Sequence, residues 1–158
     1  MEKMLSLDVL NSVSEIEVIY KKHVDVPLSR RPQITQSSIS YEILLHYWDA
    51  NKIELLEEFK VLLLNKSHRV LQLFAVASGG ITGTVADSRI ILAAALKVAA
   101  TAIIISHNHP SGSLHPSKAD IDLTQKIKEA ARLHDITLLD HLIVTNEGYF
   151  SFADEGLL

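Results

Sequence analysis

Two histidines and an aspartate in the second half of the chain have the spacing of a metal-binding set. His107 and His109 follow an apolar segment, and ten residues separate His109 from Asp120. Strand side chains two residues apart point to the same side, with Cα atoms roughly 6–7 Å apart, so both imidazoles can reach one ion. We expect these three residues to bind one zinc ion, with a fourth position open for water. Zinc would lower the pKa of that water towards about 7, as a hydrolase requires.

A second interpretation of Asp120 needs no metal. Ser117 and Asp120 are three residues apart at the start of a predicted amphipathic helix, Ser117–Leu133. A serine at the N-cap and an acid three residues later satisfy the free backbone N–H groups of a helix start. For this pair alone, capping and metal binding both remain open.

The elements that must position these residues follow from the hydrophobic pattern. Phe59–Leu64 and Val70–Ala77 are predicted to form a hairpin, because each is a short apolar run and a turn separates them. Ser88–Ala100 is a predicted helix that is apolar almost all round and therefore well buried. Thr101–Ser106 is a predicted buried strand. Strand, helix and strand in this order indicate a parallel crossover.

The remaining elements are shorter. The predicted helix Tyr41–Ala50 has Ser40 as its N-cap, and the helix Ser117–Leu133 turns Ile121, Ile127, Ala130 and Ala131 inward. Further strands are predicted at Ile16–Lys22, Ile136–Leu139, His141–Thr145 and Tyr149–Phe152.

Composition limits the class of protein. The chain has 158 residues, is 47% hydrophobic and carries a net charge of −4. This predicts one α/β domain, residues 41–158, preceded by an arm, residues 1–40, packed on it. The sequence contains no cysteine, which excludes disulfides and thiolate metal sites and fits a cytoplasmic location. Its apolar runs are far shorter than the ~20 residues of a membrane span.

Four segments together resemble the RadC family of JAMM (MPN+) metalloprotease-like proteins. They are HNHPSG (107–112), PSKAD (116–120), DHLIV (140–144) and FSFADEGLL (150–158). The resemblance covers roughly Ile16 to Leu158. It implies a JAMM/MPN-like mixed β-sheet flanked by helices, one catalytic zinc, and hydrolysis of a peptide or isopeptide bond. It also implies a short form without the N-terminal helix–hairpin–helix region of many RadC proteins.

The same resemblance implies two further site residues. A JAMM enzyme needs an upstream glutamate as general acid and base, and the family pattern Glu-x-Phe selects Glu57. The residues themselves narrow this choice only to Glu57 or Glu58, although alternation places Glu57 on the face of Phe59. The resemblance gives Ser117 the role of stabilising the oxyanion of the tetrahedral intermediate.

Several functional questions have more than one answer at this stage. The substrate is expected to be a protein or peptide, with a DNA-repair accessory protein or a non-catalytic interaction module as alternatives. The small basic clusters do not support direct DNA binding, and the N-terminal segment offers a route to an oligomer. The buried pair Asp140-His141 either orients a ligand histidine or is purely structural.

Overall fold

The protein is an α/β domain built on one mixed sheet. The computed structural model describes residues 25–79 and 86–158. The strands are β1 (Glu58–Leu64), β2 (Val70–Ser78), β3 (Ala102–Asn108), β4 (Thr137–Val144) and β5 (Tyr149–Ser151). The α-helices are α1 (Ser37–His46), α2 (Ser88–Lys97) and α3 (Lys118–Arg132), and a 3-10 turn covers Leu28–Arg30. The predicted fold class, a mixed sheet flanked by helices, is confirmed.

The order of the strands across the sheet is β2-β1-β3-β4-β5. β1 pairs antiparallel with β2, which confirms the predicted hairpin, and also antiparallel with β3. β2 and β3 are therefore parallel on either side of β1, as a crossover through α2 predicts. β3 pairs parallel with β4, and β5 pairs antiparallel with β4. The carboxyl ends of β3 and β4 thus lie side by side.

The sheet buries a different set of helices on each face. On one face, Phe59, Ile103 and Ile105 belong to a core that also contains residues of α2 and α3, such as Ile91 and Ile127. On the other face, Leu62 and Ile104 belong to a core that includes Leu44 of α1 and Trp48. Each fully buried aliphatic side chain contributes about 1.5–3 kcal/mol. The central strands are therefore rigid supports for residues at their ends.

The first helix begins earlier than predicted. α1 starts at Ser37, after an extended Gln36, so Ser40 is inside the helix and is not its N-cap. Ser40 is fully buried, four residues before the buried Leu44. A residue at this spacing lies on the same helix face, which explains the burial. Ser40 was predicted as the N-cap because serine favours helix caps and turns over helix interiors.

Two predictions of burial were wrong. Ile90 and Leu96 of α2 are 47% and 51% exposed, so this apolar helix buries only one stripe, through Ile91, Leu92 and Ala95. The exposed residues of α2 show that an apolar composition does not by itself predict that a whole helix is buried. In α3, Ile121 is 42% exposed.

The fourth strand is continuous where the sequence predicts two strands. β4 runs from Thr137 to Val144 without interruption, where two shorter strands were predicted. The register with β3 shifts by one residue at Leu139, between the pairs Ile103–Leu138 and Ile104–Asp140. A bulge of this kind disturbs the alternation of apolar and polar residues and imitates a strand break.

The predicted strand Ile16–Lys22 lies outside the described residues. The boundary predicted at residue 40 falls within α1, and packing of the N-terminal arm stays a prediction. Within residues 25–79 and 86–158, no helix has both the length and the apolar character needed to cross a membrane.

Candidate metal centre

The end of β3 positions both histidines. His107 is the last residue but one of the strand, and His109 follows directly after it. The strand is held between β1 and β4, where His107 is paired with Phe59 on one side and Ile143 on the other. His107 is 1% exposed, whereas His109 is partly exposed. One imidazole is therefore anchored in the core and the other faces the solvent side of the site.

Asp120 reaches the histidines from the first turn of α3. Its stripe of inward residues continues through Thr124, Ile127 and Ala131, all of which are buried. This stripe explains why Asp120, and not Ile121, points towards the sheet. The loop from Pro110 to Ser117 folds the helix start back over the carboxyl end of β3.

The three side chains converge on one point. Their ligand atoms all lie within 4.8 Å of one another. His107 Nε2 and His109 Nε2 are 3.0 Å apart. The Asp120 carboxylate places Oδ1 at 3.3 Å from His107 Nε2 and Oδ2 at 3.8 Å from His109 Nε2. Two imidazole nitrogens and a carboxylate are the donor set of an open zinc site, so the residues present fit a divalent metal.

The capping interpretation of Asp120 is confirmed, whereas its role as a metal ligand stays a prediction. Asp120 Oδ2 accepts hydrogen bonds from Ser117 N–H and Ser117 Oγ–H, both at 2.7 Å, and Ser117 Oγ accepts from Asp120 N–H at 3.2 Å. This is a complete capping box. Asp120 Oδ1 remains directed at His107. The carboxylate therefore caps the helix through Oδ2 while Oδ1 faces His107.

Each histidine is also held through its other ring nitrogen. His109 Nδ1 donates to the carbonyl oxygen of Ser113 at 2.8 Å. Because a carbonyl only accepts, His109 carries a proton on Nδ1, and in the neutral ring Nε2 then holds the lone pair. His107 Nδ1 lies 2.8 Å from His141 Nε2. Both outer contacts leave the Nε2 atoms turned towards Asp120.

Burial sets the charge of the inner ring. Burial, with a smaller contribution from the neighbouring His109, lowers the pKa of His107 to about 4 against the opposing attraction of the Asp120 carboxylate. Burial also lowers the pKa of His141 well below its usual range. Both rings are therefore neutral near pH 7. The contact between His107 and Asp120 is thus not an ion pair, and a neutral imidazole is the form that binds metal.

The two candidate glutamates are separated by strand alternation. Glu58 Oε2 accepts from Lys60 Nζ at 3.0 Å, and Lys60 lies over the ring of Trp48, which belongs to the α1 side of the sheet. Gly79 N–H donates to the carbonyl of Glu57 at 2.8 Å, which extends the pairing of β1 and β2 by one residue. Glu57 therefore shares the face of Phe59, whose ring is stacked with His107. Its catalytic role stays a prediction.

The comparison with known proteins identifies the family of this domain. The sequence profile of the RadC-like JAB domain matches residues 34–157, which include β1 to β5 and all three candidate metal ligands. The chain belongs to the RadC-like JAB domain family. The resemblance noted from the sequence is therefore confirmed.

Curated relatives of this RadC-like domain are similar over most of its length. A UPF0758 protein of Porphyromonas gingivalis is 44% identical over 133 residues, 83% of this chain and 57% of the relative. One from Flavobacterium johnsoniae is 48% identical over 101 residues, 64% of this chain and 44% of the relative. One from Nitrosococcus oceani is 38% identical over 138 residues, 87% and 60% respectively. The chain thus spans about half the length of these relatives.

Ser117 of the RadC-like domain is placed beside the triad, but its hydroxyl hydrogen is engaged. Ser117 Oγ donates to Asp120 Oδ2, one of the carboxylate oxygens near the histidines. The side chain is exposed, so rotation towards a substrate meets no packing barrier. Its predicted oxyanion role requires that rotation and stays a prediction.

Sequence reasoning assigned no structural role to Asn108. This fully buried side chain donates to the carbonyls of Ile53 at 2.6 Å and Leu56 at 2.8 Å, and its Oδ1 accepts from Glu58 N–H at 2.7 Å. It therefore fastens the segment that leads into β1 to the strand that carries the histidines. The sequence signal was the polar residue between two strand-end histidines, whose partners are about 50 residues away and could not be read locally.

Replacing Asn108 with alanine is expected to lower the free energy of unfolding by about 2–4 kcal/mol, because three backbone groups lose their partner. Urea denaturation of the two proteins measures the difference. The matched control is Asn146→Ala, since Asn146 is exposed and donates only to Glu54 among its recorded hydrogen bonds. That change should stay within about 0.5 kcal/mol. Equal effects of the two substitutions would contradict the anchoring role of Asn108.

Space for a ligand adjoins the triad. A cavity of about 300 Å³ opens beside His109, and its lining includes Ile53, Glu54, Asn146 and Glu147. The exposed member of the triad thus borders a recess, while His107 closes the site from the core. Of the three candidate ligands only His109 lines this cavity, so the recess meets the site at its exposed histidine.

Proposed function

We propose that this domain is a zinc-dependent hydrolase of amide bonds, acting on a peptide or isopeptide. The observation that carries the proposal is the convergence of His107 Nε2, His109 Nε2 and the Asp120 carboxylate within 4.8 Å. Three protein ligands leave a fourth tetrahedral position open, which distinguishes a catalytic zinc site from a structural one. Membership of the RadC-like JAB domain family and the recess beside His109 support the same conclusion.

The residues around the site divide the work of hydrolysis. When bound, zinc supplies Lewis-acid polarisation of the carbonyl and a water acidic enough to lose a proton near neutral pH. Glu57 takes that proton as the water oxygen bonds to the carbonyl carbon, and passes it to the leaving nitrogen as the carbon–nitrogen bond breaks. Ser117 turns its hydroxyl from Asp120 to the oxyanion. His107 and His109 hold the geometry, since the strand end and the outer hydrogen bonds fix both rings.

Metal removal tests the proposal. Protein purified without a metal-affinity tag should contain about one zinc per chain by plasma mass spectrometry. The zinc-loaded protein should cleave members of a library of internally quenched peptides and lysine-linked isopeptides. Dipicolinate should abolish cleavage, and one equivalent of zinc should restore it. Stoichiometric zinc with no cleavage of any member would contradict the hydrolase and favour a non-catalytic interaction module.

A further inference from the structure

A chain of buried hydrogen bonds links two of the three candidate ligands behind the metal centre. Thr124 Oγ1–H donates to the backbone carbonyl of Asp120 at 2.5 Å. Thr124 Oγ1 lies 2.6 Å from His141 Nδ1, and His141 Nε2 lies 2.8 Å from His107 Nδ1. Thr124 is 3% exposed, His141 0% and His107 1%. Bulk water therefore does not compete for these bonds.

The Asp120 carbonyl, at one end of this chain of hydrogen bonds, determines which atom donates in each of them. The Asp120 carbonyl can only accept, so the single hydroxyl hydrogen of Thr124 is committed to it. His141 Nδ1 must then donate to Thr124 Oγ1. His141 uses Nδ1 as the donor, so in the neutral ring its Nε2 carries the lone pair and accepts from His107 Nδ1–H at 2.8 Å. His107 Nε2 is left without a proton, facing Asp120 Oδ1 at 3.3 Å.

Aromatic packing keeps His141 in this position. Its ring is stacked on Phe152, with centroids 4.6 Å apart and planes at 16°. The ring centroids of Phe59 and His141 are 5.9 Å apart with tilted planes, and Phe59 is stacked with His107 at a centroid distance of 6.2 Å. The pair therefore has little freedom to rotate. Within residues 25–79 and 86–158, the only polar contact of His141 Nε2 is His107 Nδ1.

We propose that His141 and Thr124 are positioning residues of the metal centre, which fix the tautomer and orientation of His107 so that its Nε2 is presented to zinc. The inference rests on the proposed zinc site and adds to it the outer contacts that set ligand geometry. The usual partner of a metal-binding histidine is a carboxylate or a backbone carbonyl. Here the partner of His107 is His141, which is hydrogen-bonded to Thr124, and Thr124 in turn donates to the backbone carbonyl of Asp120.

Zinc affinity separates this role from simple packing. Thr124→Val keeps the shape of the side chain and removes the hydroxyl, and His141→Phe keeps an aromatic ring between Phe59 and Phe152. Each is expected to weaken zinc binding about 10–100-fold, the usual effect of losing an outer contact. Thr124→Ser keeps the hydroxyl and should bind zinc within about threefold of wild type. Thr137→Val, at an exposed position at the start of β4, is the matched control.

Two readouts make the test independent of hydrolytic activity. Dissociation constants come from competition with a chromophoric chelator, and the visible spectrum of the cobalt-substituted protein reports ligand geometry. Thermal unfolding of the metal-free variants records any loss of packing. Lower stability of Thr124→Val and His141→Phe with unchanged zinc affinity and cobalt spectrum would overturn the proposal. Absence of zinc binding in the wild type would instead overturn the proposed function, and this inference with it.

The tautomers can also be measured without any substitution. Long-range nitrogen–proton correlation spectra of the metal-free protein distinguish Nδ1–H from Nε2–H imidazoles. His107 and His141 should both carry the proton on Nδ1. A proton on Nε2 of His107 would overturn the proposal even if the variants failed to fold.

Discussion

Replacing Glu57 with glutamine is expected to lower the rate of amide hydrolysis by about 10²–10⁴-fold, the usual contribution of a general acid–base residue. Glutamine has nearly the shape of glutamate but cannot take up the proton of the attacking water. Zinc affinity should stay close to that of the wild type, since Glu57 is not among the three converging ligands. The measurement is kcat/KM on the best peptide from the quenched library, together with zinc stoichiometry.

Glu58→Gln is the matched control for this experiment. Glu58 lies next in the sequence but bonds to Lys60 on the α1 side of the sheet. The Lys60 side chain is only 8% exposed, so losing its counter-charge should lower stability while leaving kcat/KM within a few-fold. Full activity of Glu57→Gln would rule out Glu57 as the base. A large loss of kcat/KM in Glu58→Gln alone would assign the role to Glu58.

The sequence was most informative where one local pattern had one physical cause. The hairpin of β1 and β2, the buried β3 and the amphipathic α3 each follow from a hydrophobic period over a short window. The set His107, His109 and Asp120 could be proposed because all three residues lie within 14 positions of the chain (107 to 120). Local geometry and one loop were enough to bring them together.

Predictions failed where distant packing decides the outcome. The burial of Ser40 and the exposure of Ile90 and Ile121 depend on which side of each helix meets the sheet. The local sequence pattern does not determine which side of a helix packs on the sheet. The capping pattern of Ser117 and Asp120 shows a related limit, because the sequence offered two explanations and the structure contains the geometry of both.

The residues that contact the candidate ligands from behind also could not be assigned from local sequence alone. The sequence allows either a structural or an orienting role for Asp140 and His141, and in the structure their side chains have different partners. Asp140 accepts from Ser151 Oγ–H, Ala153 N–H and the backbone N–H of His141, and burial raises its pKa. The ring of His141 instead contacts His107 and Thr124. Thr124 was not singled out, although it is four residues after Asp120 and so on the same helix face. A search of the helix that carries a ligand for polar residues at this spacing would have found it.

Replacing Asp120 with asparagine separates helix capping from the proposed zinc binding. It is expected to weaken zinc binding by more than about 100-fold, the upper end of what losing an outer contact costs. The substitution removes the negative charge and one oxygen from the ligand set. The asparagine carbonyl oxygen can still accept from Ser117 N–H, so the capping box should survive in part and stability should fall by no more than about 1 kcal/mol. Chelator competition and urea denaturation measure the two quantities.

Ser117→Ala gives the complementary result. It removes the hydroxyl that caps α3 but leaves the Asp120 oxygens and both histidines in place. We expect it to cost about 1 kcal/mol of stability, as the loss of an N-cap serine does, with a smaller effect on zinc affinity than Asp120→Asn. The two variants are therefore expected to have opposite profiles. Asp120→Asn should change mainly zinc binding, and Ser117→Ala mainly stability. If Asp120→Asn lowered only stability and bound zinc as the wild type does, Asp120 would be a helix cap alone, and a two-histidine site would be too weak to support the proposed hydrolase.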